Sequence, residues 1–186
     1  MTRIGIIVGS ISSTSLNRKL AKALMRLAPE GVELTEIPIA ELPFYSPDHD
    51  ADYPQVARDF KGAIAEADGV IIVTPEYSRS IPGVLKNALD WSARPYGQSS
   101  FNAKPTAVIG ASGGAISTAA AQQHLRAILL HYNAIVLGQP EGYIQATPGL
   151  LTEDGEVTNE STAAFLTSFV EAFDALIGRV KAGRAA

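Results

Sequence analysis

The sequence predicts an α/β fold, a three-layer sandwich in which a five-stranded parallel sheet lies between two layers of helices. Five β-type apolar runs alternate with helical patterns along the 186 residues, a rhythm typical of α/β sheets. Three of the runs, at 4–8, 70–73 and 107–109, are continuously apolar, as expected of parallel strands that are covered on both faces. Five strands in this rhythm favour the order 2-1-3-4-5 over a six-stranded dinucleotide fold.

The individual elements follow from the same periodicity. Strands are predicted at 3–8, 32–37, 69–74, 106–110 and 134–137, and helices at 15–27, 54–67, 82–91, 115–130 and 159–181. Pro54 and Pro82 suit the first turns of their helices. The long connections 41–53 and 139–158 are expected to be functional or interfacial loops, with packing on their own domain as an equal alternative. We expect one domain over 1–186, with a tail that frays from 178.

Composition and charge limit the possible partners. The chain is 46% hydrophobic and 18% charged, as soluble globular proteins are. Its net charge of −4 is mild and its basic residues are scattered, so neither nucleic acid nor an anionic membrane is an expected partner. No apolar run approaches the ~20 residues of a membrane span and no signal-type leader precedes the first strand, so a cytoplasmic location is expected.

Cysteine and histidine usage restrict the chemistry. The chain has no cysteine, which excludes disulfides, thiolate catalysis and iron–sulfur clusters, so any redox chemistry must come from a cofactor. His124 and His131 could share a helix face, but neither they nor His49 form an H-E-x-x-H arrangement or have a third partner at metal-site spacing. We expect all three to be ordinary surface or interface residues, and no metal site.

The stretch 8–17 predicts an anion site. It follows the first apolar run, opens a helical segment and carries five hydroxyls within six residues, namely Ser10, Ser12, Ser13, Thr14 and Ser15. Hydroxyls and backbone N–H groups at a helix N-terminus bind phosphate. The stretch matches neither G-x-G-x-x-G nor G-x-x-x-x-G-K-[ST], so a mononucleotide suits it better than ATP. The alternative is that these hydroxyls only cap the helix.

Two further loops should converge on that site. In an open parallel sheet, ligands bind outside the carboxyl ends of the strands where the order reverses, here after strands one, three and four. Pro75 and Pro82 stiffen the third-strand loop and should leave the N–H groups between them free for a planar polar ligand such as a flavin. Gly113 and Gly114, after strand four, let the backbone approach a flat ring. The three loops together predict a phosphate pocket beside a slot for a flat heterocycle.

These residues resemble the NAD(P)H-dependent FMN reductase family of the flavodoxin-like fold, which contains bacterial quinone, chromate and azo-compound reductases. The resemblance covers nearly the whole chain. Its motifs are Gly9-Ser10-x-x-x-x-Ser15-x-Asn17, then Pro75-Glu76-Tyr77-Ser78-x-Ser80-x-Pro82-Gly83-x-Leu85-Lys86-Asn87-Ala88-x-Asp90-Trp91, then Gly110-Ala111-Ser112 leading to Leu125-Arg126.

The resemblance implies which residues bind FMN. Loop one would hold the phosphate, loop three would wrap the ribityl chain and isoalloxazine, and loop four would line the other edge of the ring. In that order the candidates are Ser10, Ser12, Ser15, Leu16 and Asn17, then Pro75, Glu76, Tyr77, Ser78 and Arg79, then Ser112, Gly113 and Gly114. Arg79 could meet the dinucleotide phosphates or the reduced ring, or be an ordinary exposed arginine. Glu76 is expected to be a loop residue rather than a general base, and no catalytic side chain is assigned.

The sequence departs from the family pattern at three places. Ser12 stands where the family often has Arg, which removes a cation from the phosphate site. Ser78 replaces a common Asn, and Ser117 with Thr118 replaces a frequent Gly pair on the wall that would face the nicotinamide.

The activity implied is hydride transfer from NADPH or NADH to bound FMN, then transfer of two electrons to a quinone, azo compound, free flavin or oxyanion such as chromate. One domain has no room for a second dinucleotide-binding domain, so donor and acceptor should use one open face in turn, by a ping-pong mechanism. The resemblance also implies a homodimer or homotetramer with flavin near the interface. Helix 82–91 would be a contact helix unless Trp91 is buried in its own domain, and loop 44–53 could close over the neighbour's flavin.

Two other functions stay open at this point. A flavodoxin-type carrier would bind FMN and be reduced by a partner protein, although such carriers are usually far more acidic than a net charge of −4. A binding module would hold another mononucleotide in the phosphate loop. Direct reduction by NADPH distinguishes the reductase from the carrier, and an absence of flavin affinity would favour the module.

Overall fold

The computed structural model describes residues 1–185 and consists of a central sheet with helices on both faces. The strands are β1 (Thr2–Val8), β2 (Val32–Glu36), β3 (Gly69–Val73), β4 (Pro105–Ser112), β5 (Ile135–Val136) and β6 (Gly142–Gln145). The helices are α1 (Leu16–Arg26), α2 (Gln55–Glu66), α3 (Gly83–Ala93), α4 (Ala119–His131) and α5 (Glu160–Ala185). None of these helices is both long enough and apolar enough to cross a bilayer.

The sheet is parallel and has the order β2-β1-β3-β4-β5. The register pairs Val8 with Val73, and Val73 in turn with Ile109. The carboxyl ends of β1, β3 and β4 are therefore neighbours, and the order reverses between β1 and β3. The predicted strand order 2-1-3-4-5 is confirmed.

The fifth position of the sheet is occupied by two short segments rather than one strand. β5 pairs with residues 105–106 of β4, and β6 pairs with its residues 109–112. The prediction that 139–158 is entirely loop was therefore wrong at 142–145. Four residues are too few to show a period, and the strand contains Gly142, where a Cβ would lie 2.4 Å from Ile109 Cγ1. Glycine is needed there because the two strands approach closely.

The core lies on both faces of the sheet, as expected of three layers. Leu20 and Leu24 of α1 pack with Phe169 and Phe173 of α5 on one face. The other face is covered by α2, α3 and α4, with apolar side chains such as Phe60, Leu85 and Leu125 in one buried cluster. Successive residues of the central strands alternate between these two clusters, so the predicted three-layer sandwich is confirmed.

The predicted starts of α2, α3 and α4 differ from the structure. α4 begins at Ala119 rather than 115, because residues 115–118 form a turn in which Ser117 has a φ of +50° and donates its hydroxyl to Ile144 O at 2.8 Å. Pro54 and Pro82 directly precede α2 and α3 instead of lying in their first turns. Both positions avoid the need for a helical N–H that proline lacks.

Trp91 is buried within its own domain, which decides between the two alternatives left open for helix 82–91. Its ring is fully buried, and Nε1 donates to Pro43 O at 2.6 Å. Tyr45 and Tyr53 stand edge-on to it, so the 41–53 connection packs on α3. The Tyr53 hydroxyl donates to Trp91 O at 2.5 Å, and burial raises the pKa of Tyr53 to about 12.

Candidate active site

Three loops meet above the carboxyl ends of β1, β3 and β4. Backbone hydrogen bonds continue the sheet into them: Gly9 N–H donates to Val73 O at 2.8 Å, and Thr74 N–H donates to Ile109 O at 2.9 Å. We call residues 9–15 the phosphate loop, residues 74–82 the hairpin loop and residues 112–118 the glycine loop. The predicted convergence of these loops is found in the structure.

Asn17 joins the phosphate loop's helix to β4. Its amide Nδ2 donates to Ala111 O at 2.9 Å, and its Oδ1 accepts from Ala111 N at 2.9 Å. The side chain is 2% exposed, and its Oδ1 and one Nδ2–H group are paired within the protein. The backbone N–H of Asn17, in the first turn of α1, remains available to an anion.

The phosphate loop is folded by its own hydroxyls. Ser10 Oγ accepts from Ser12 N, Ser12 Oγ accepts from Thr14 N, and Ser15 Oγ accepts from Arg18 N, each at 3.3 Å. An oxygen that accepts in this way still has its O–H proton to donate. The capping alternative and the anion alternative are thus compatible, because each hydroxyl can cap a backbone group and donate to a ligand at once.

The first turn of α1 adds backbone donors at the same place. Ser15 is the N-cap residue, and the next two N–H groups, those of Leu16 and Asn17, have no acceptor within the helix. The positive end of the helix dipole lies there as well. The phosphate loop consequently ends in a group of N–H and O–H donors suited to an anion.

The hairpin loop differs from its predicted form. Tyr77 and Ser80 exchange backbone hydrogen bonds in both directions, each at 2.9 Å. Between them Ser78 and Arg79 have φ values of +51° and +62°, as in the tight turns that join two strands. The prediction of free N–H groups throughout this loop was wrong for Tyr77 and Ser80, because the turn needs both for closure.

Glu76 ties the hairpin loop to α4. Its Oε2 accepts from Ala121 N in the first turn of α4 at 3.1 Å, and its Oε1 lies 3.2 Å from Arg79 Nη1. The side chain is 9% exposed, and the N-cap residue Thr118 makes no cap hydrogen bond of its own. A carboxylate at this position is stabilised by the N-terminal end of the helix dipole. Glu76 is thus a structural link, in agreement with its expected role as a loop residue.

The glycine loop leaves open space beside the other two. A Cβ on Gly113 would meet no atom within 4 Å, and one on Gly114 would meet only Ser112 Oγ at 3.7 Å. Gly110, at the end of β4, is different: a Cβ there would lie 2.2 Å from the Thr74 carbonyl oxygen. The fold needs glycine at 110, whereas at 113 and 114 the fold has no need of it.

An exposed apolar side chain stands on each of the three loops. Ile11, Tyr77 and Ile116 are 60%, 55% and 55% exposed. Exposed apolar groups around a cluster of polar donors are typical of a site for a flat ligand with a charged end. The residues present therefore fit FMN: an uncharged loop rich in donors for the phosphate, and open glycines with apolar neighbours for the ring.

The comparisons with known proteins agree with this geometry. Residues 2–148 match the family model described as NADPH-dependent FMN reductase. The chain belongs to this family. The predicted family, its flavin cofactor with NAD(P)H as co-substrate, and the oxidoreductase class of enzyme are confirmed.

Individual relatives are similar to this chain over almost their whole length. A 2-hydroxy-1,4-benzoquinone reductase of a Burkholderia species is 47% identical over 94% of this chain and 96% of the relative. A quinone reductase of Escherichia coli K12 is 39% identical over 94% and 95%. The solved structure of FerB, a flavoenzyme NAD(P)H:(acceptor) oxidoreductase from Paracoccus denitrificans, is 44% identical, covers 96% of this chain and 98% of its own, and has a TM-score of 0.91.

Three contacts around the site were not predicted from the sequence. Arg18 donates through Nη2 to Ser10 O at 3.4 Å and pairs with Glu36. His124 Nδ1 lies 3.0 Å from Ser80 Oγ, between α4 and the hairpin loop. The third is the Glu76 link to α4. One feature of the sequence pointed to a role for Arg18 at the site: it is the first charged residue after the fourteen uncharged residues 4–17.

Proposed function

We propose that this protein is an FMN-dependent oxidoreductase that takes hydride from NADPH or NADH and delivers two electrons to a small acceptor, a quinone in the first place. The observation that carries the proposal is the meeting of the phosphate loop with the hairpin loop and the open glycine loop at the point where the strand order reverses. The names of the 47% and 39% identical relatives, both quinone reductases, support a quinone rather than an azo compound, free flavin or chromate.

The residues have distinct roles in this proposal. The hydroxyls of Ser10, Ser12 and Ser15 and the N–H groups of Leu16 and Asn17 bind the phosphate. The ribityl chain and ring lie along Pro75, Glu76, Tyr77, Ser78 and Arg79 and against Ser112, Gly113 and Gly114. FMN, when bound, supplies the hydride and electron chemistry. The protein binds and orients it, and no side chain is assigned a catalytic role.

The reaction order follows from the single opening. Donor and acceptor use the same face in turn, which gives ping-pong kinetics. Initial rates measured at several NADPH and quinone concentrations should give parallel double-reciprocal lines. Intersecting lines that require a ternary complex would contradict this order.

Assembly and location belong to the same proposal. We expect a single domain over 1–186 in a homodimer or homotetramer, with neither nucleic acid nor membrane as partner, in the cytoplasm. A groove of about 500 Å³ between α3 and α4 and the exposed side chains of Phe44 and Leu130 support self-association. Sedimentation velocity measures the oligomeric state, and a monomer at micromolar concentration would contradict the proposal.

One titration tests the central claim. The protein is saturated with FMN, freed of unbound flavin and titrated anaerobically with NADPH while the visible flavin band is recorded. Rapid bleaching of retained flavin supports the reductase. Retained flavin that NADPH fails to bleach would indicate a carrier reduced by a partner protein, and an absence of retained flavin would indicate either FMN as a passing substrate or another mononucleotide.

A further inference from the structure

We propose that Arg18 supplies the positive charge for the FMN phosphate in place of the cation that is missing at position 12. This inference rests on the proposed function, since it requires that the phosphate loop binds FMN. Arg18 lies in α1 and contacts the phosphate loop. It carries the positive charge that Ser12 lacks.

The phosphate loop itself is electrically neutral. No charged side chain occurs in 4–17, so the loop offers a bound phosphate only uncharged donors. The nearest charged residue along the chain is Arg18. Arg18 lies in the first turn of α1, and its backbone N–H donates to Ser15 Oγ at 3.3 Å. Its side chain turns back to the start of the loop, where Nη2 donates to Ser10 O at 3.4 Å. The guanidinium thus lies against the loop from the helix side.

The two lysines of α1 are directed elsewhere. Lys19 Nζ lies 2.5 Å from a carboxylate oxygen of Glu153, and Lys22 Nζ donates to the Glu153 carbonyl oxygen at 2.8 Å. Both ammonium groups are therefore held by the segment before α5. Arg18 is the cation of these helical turns whose side chain contacts the phosphate loop.

The present partner of Arg18 is exchangeable. The guanidinium pairs through Nη1 with Glu36 at the end of β2, and both side chains are 35% exposed. Ion pairs with such access to water contribute little to stability. A guanidinium also has five donors in a flat fork that matches phosphate oxygens. Arg18 can consequently donate some of its N–H groups to a phosphate dianion while its ion pair with Glu36 holds the guanidinium near the loop.

The test compares FMN with riboflavin, which has the same ring system and no phosphate. Dissociation constants for both are measured by quenching of flavin fluorescence on wild type, Arg18→Gln and Arg18→Lys. We expect Arg18→Gln to weaken FMN binding about tenfold, which is about 1.4 kcal/mol, and to leave riboflavin binding unchanged. Arg18→Lys keeps the charge without the fork and should recover part of the loss.

Two further variants control for the general loss of a positive charge and for the Arg18–Glu36 ion pair. Lys22→Gln removes the same charge from the same helix away from the loop and should leave FMN affinity unchanged. Glu36→Gln frees Arg18 and should leave FMN binding unchanged or tighter.

Specific outcomes would overturn the inference. Arg18→Gln with wild-type FMN affinity would do so, and so would an equal loss for FMN and riboflavin, which would mean that Arg18 only supports the loop. If the wild type itself bound no FMN, the proposed function would fall and this inference with it, a result distinct from a failure confined to Arg18.

Discussion

Replacing Glu76 with alanine should both destabilise the protein and weaken its hold on flavin. The carboxylate accepts from Ala121 N at 3.1 Å, is 9% exposed and replaces the cap that Thr118 does not make. A hydrogen bond to a charged group contributes about 1.5–3 kcal/mol, so we expect the free energy of unfolding to fall by about 2 kcal/mol. For a domain of this size that loss lowers Tm by roughly 4–8 °C. Because the same carboxylate fixes the hairpin loop, the FMN dissociation constant should rise several-fold.

The assay is urea unfolding followed by far-UV circular dichroism, together with FMN titration of the same samples. Glu160→Ala is the matched control, since Glu160 also lies in the first turn of a helix but is exposed. Its unfolding free energy should change by less than about 0.5 kcal/mol. Glu76→Gln keeps an acceptor oxygen without the charge and should give an intermediate loss. The reasoning is refuted if Glu76→Ala behaves like the control, or if it loses stability while FMN affinity stays at the wild-type value.

Four further perturbations test other parts of the structure. Asn17→Ala leaves a buried N–H and C=O of β4 unpaired, so urea unfolding should show a loss of about 3 kcal/mol; a loss below 1 kcal/mol would argue against this. Gly110→Ala places a Cβ 2.2 Å from the Thr74 carbonyl oxygen and should abolish most of the folded, soluble yield. Gly113→Ala meets open space, so its melting temperature should match wild type while FMN titration shows weaker binding, and unchanged affinity would contradict the assigned ring site. Tyr53 has a pKa of about 12, above its usual value of about 10, so between those pH values the unfolded chain releases the proton first and native stability falls as pH rises. Tyr53→Phe should lose less stability than wild type between pH 8 and pH 11 in urea unfolding, and an equal decline would disprove the assignment.

The sheet and its ligand-binding edge could be predicted because they depend on strong, repeated patterns. Continuous apolar runs fix the central strands, and parallel topology alone brings the ends of β1, β3 and β4 together. The phosphate loop could be placed at this edge because it directly follows β1 in the chain. These features do not depend on any one side-chain contact.

Features that depend on individual tertiary contacts could not be predicted. Ser78-Arg79 forms a left-handed turn without the glycine or asparagine that usually indicates one, because the Tyr77–Ser80 hydrogen bonds impose it. β6 forms because four residues find a free position beside β4, which local sequence does not encode. The roles of Asn17 and Arg18 likewise require partners 94 and 8 residues away.

The hydroxyl pairing within the phosphate loop bears on the rate of cofactor binding. Ser10 and Ser12 accept hydrogen bonds from backbone N–H groups of the loop, and Ser15 accepts from the Arg18 N–H in the first turn of α1, so the loop is held in shape by bonds within the protein. A preorganised site spends little binding energy on ordering. The association rate of FMN should therefore be set by diffusional encounter alone, without a slow isomerisation phase, and differences in affinity between loop variants should arise in the dissociation rate.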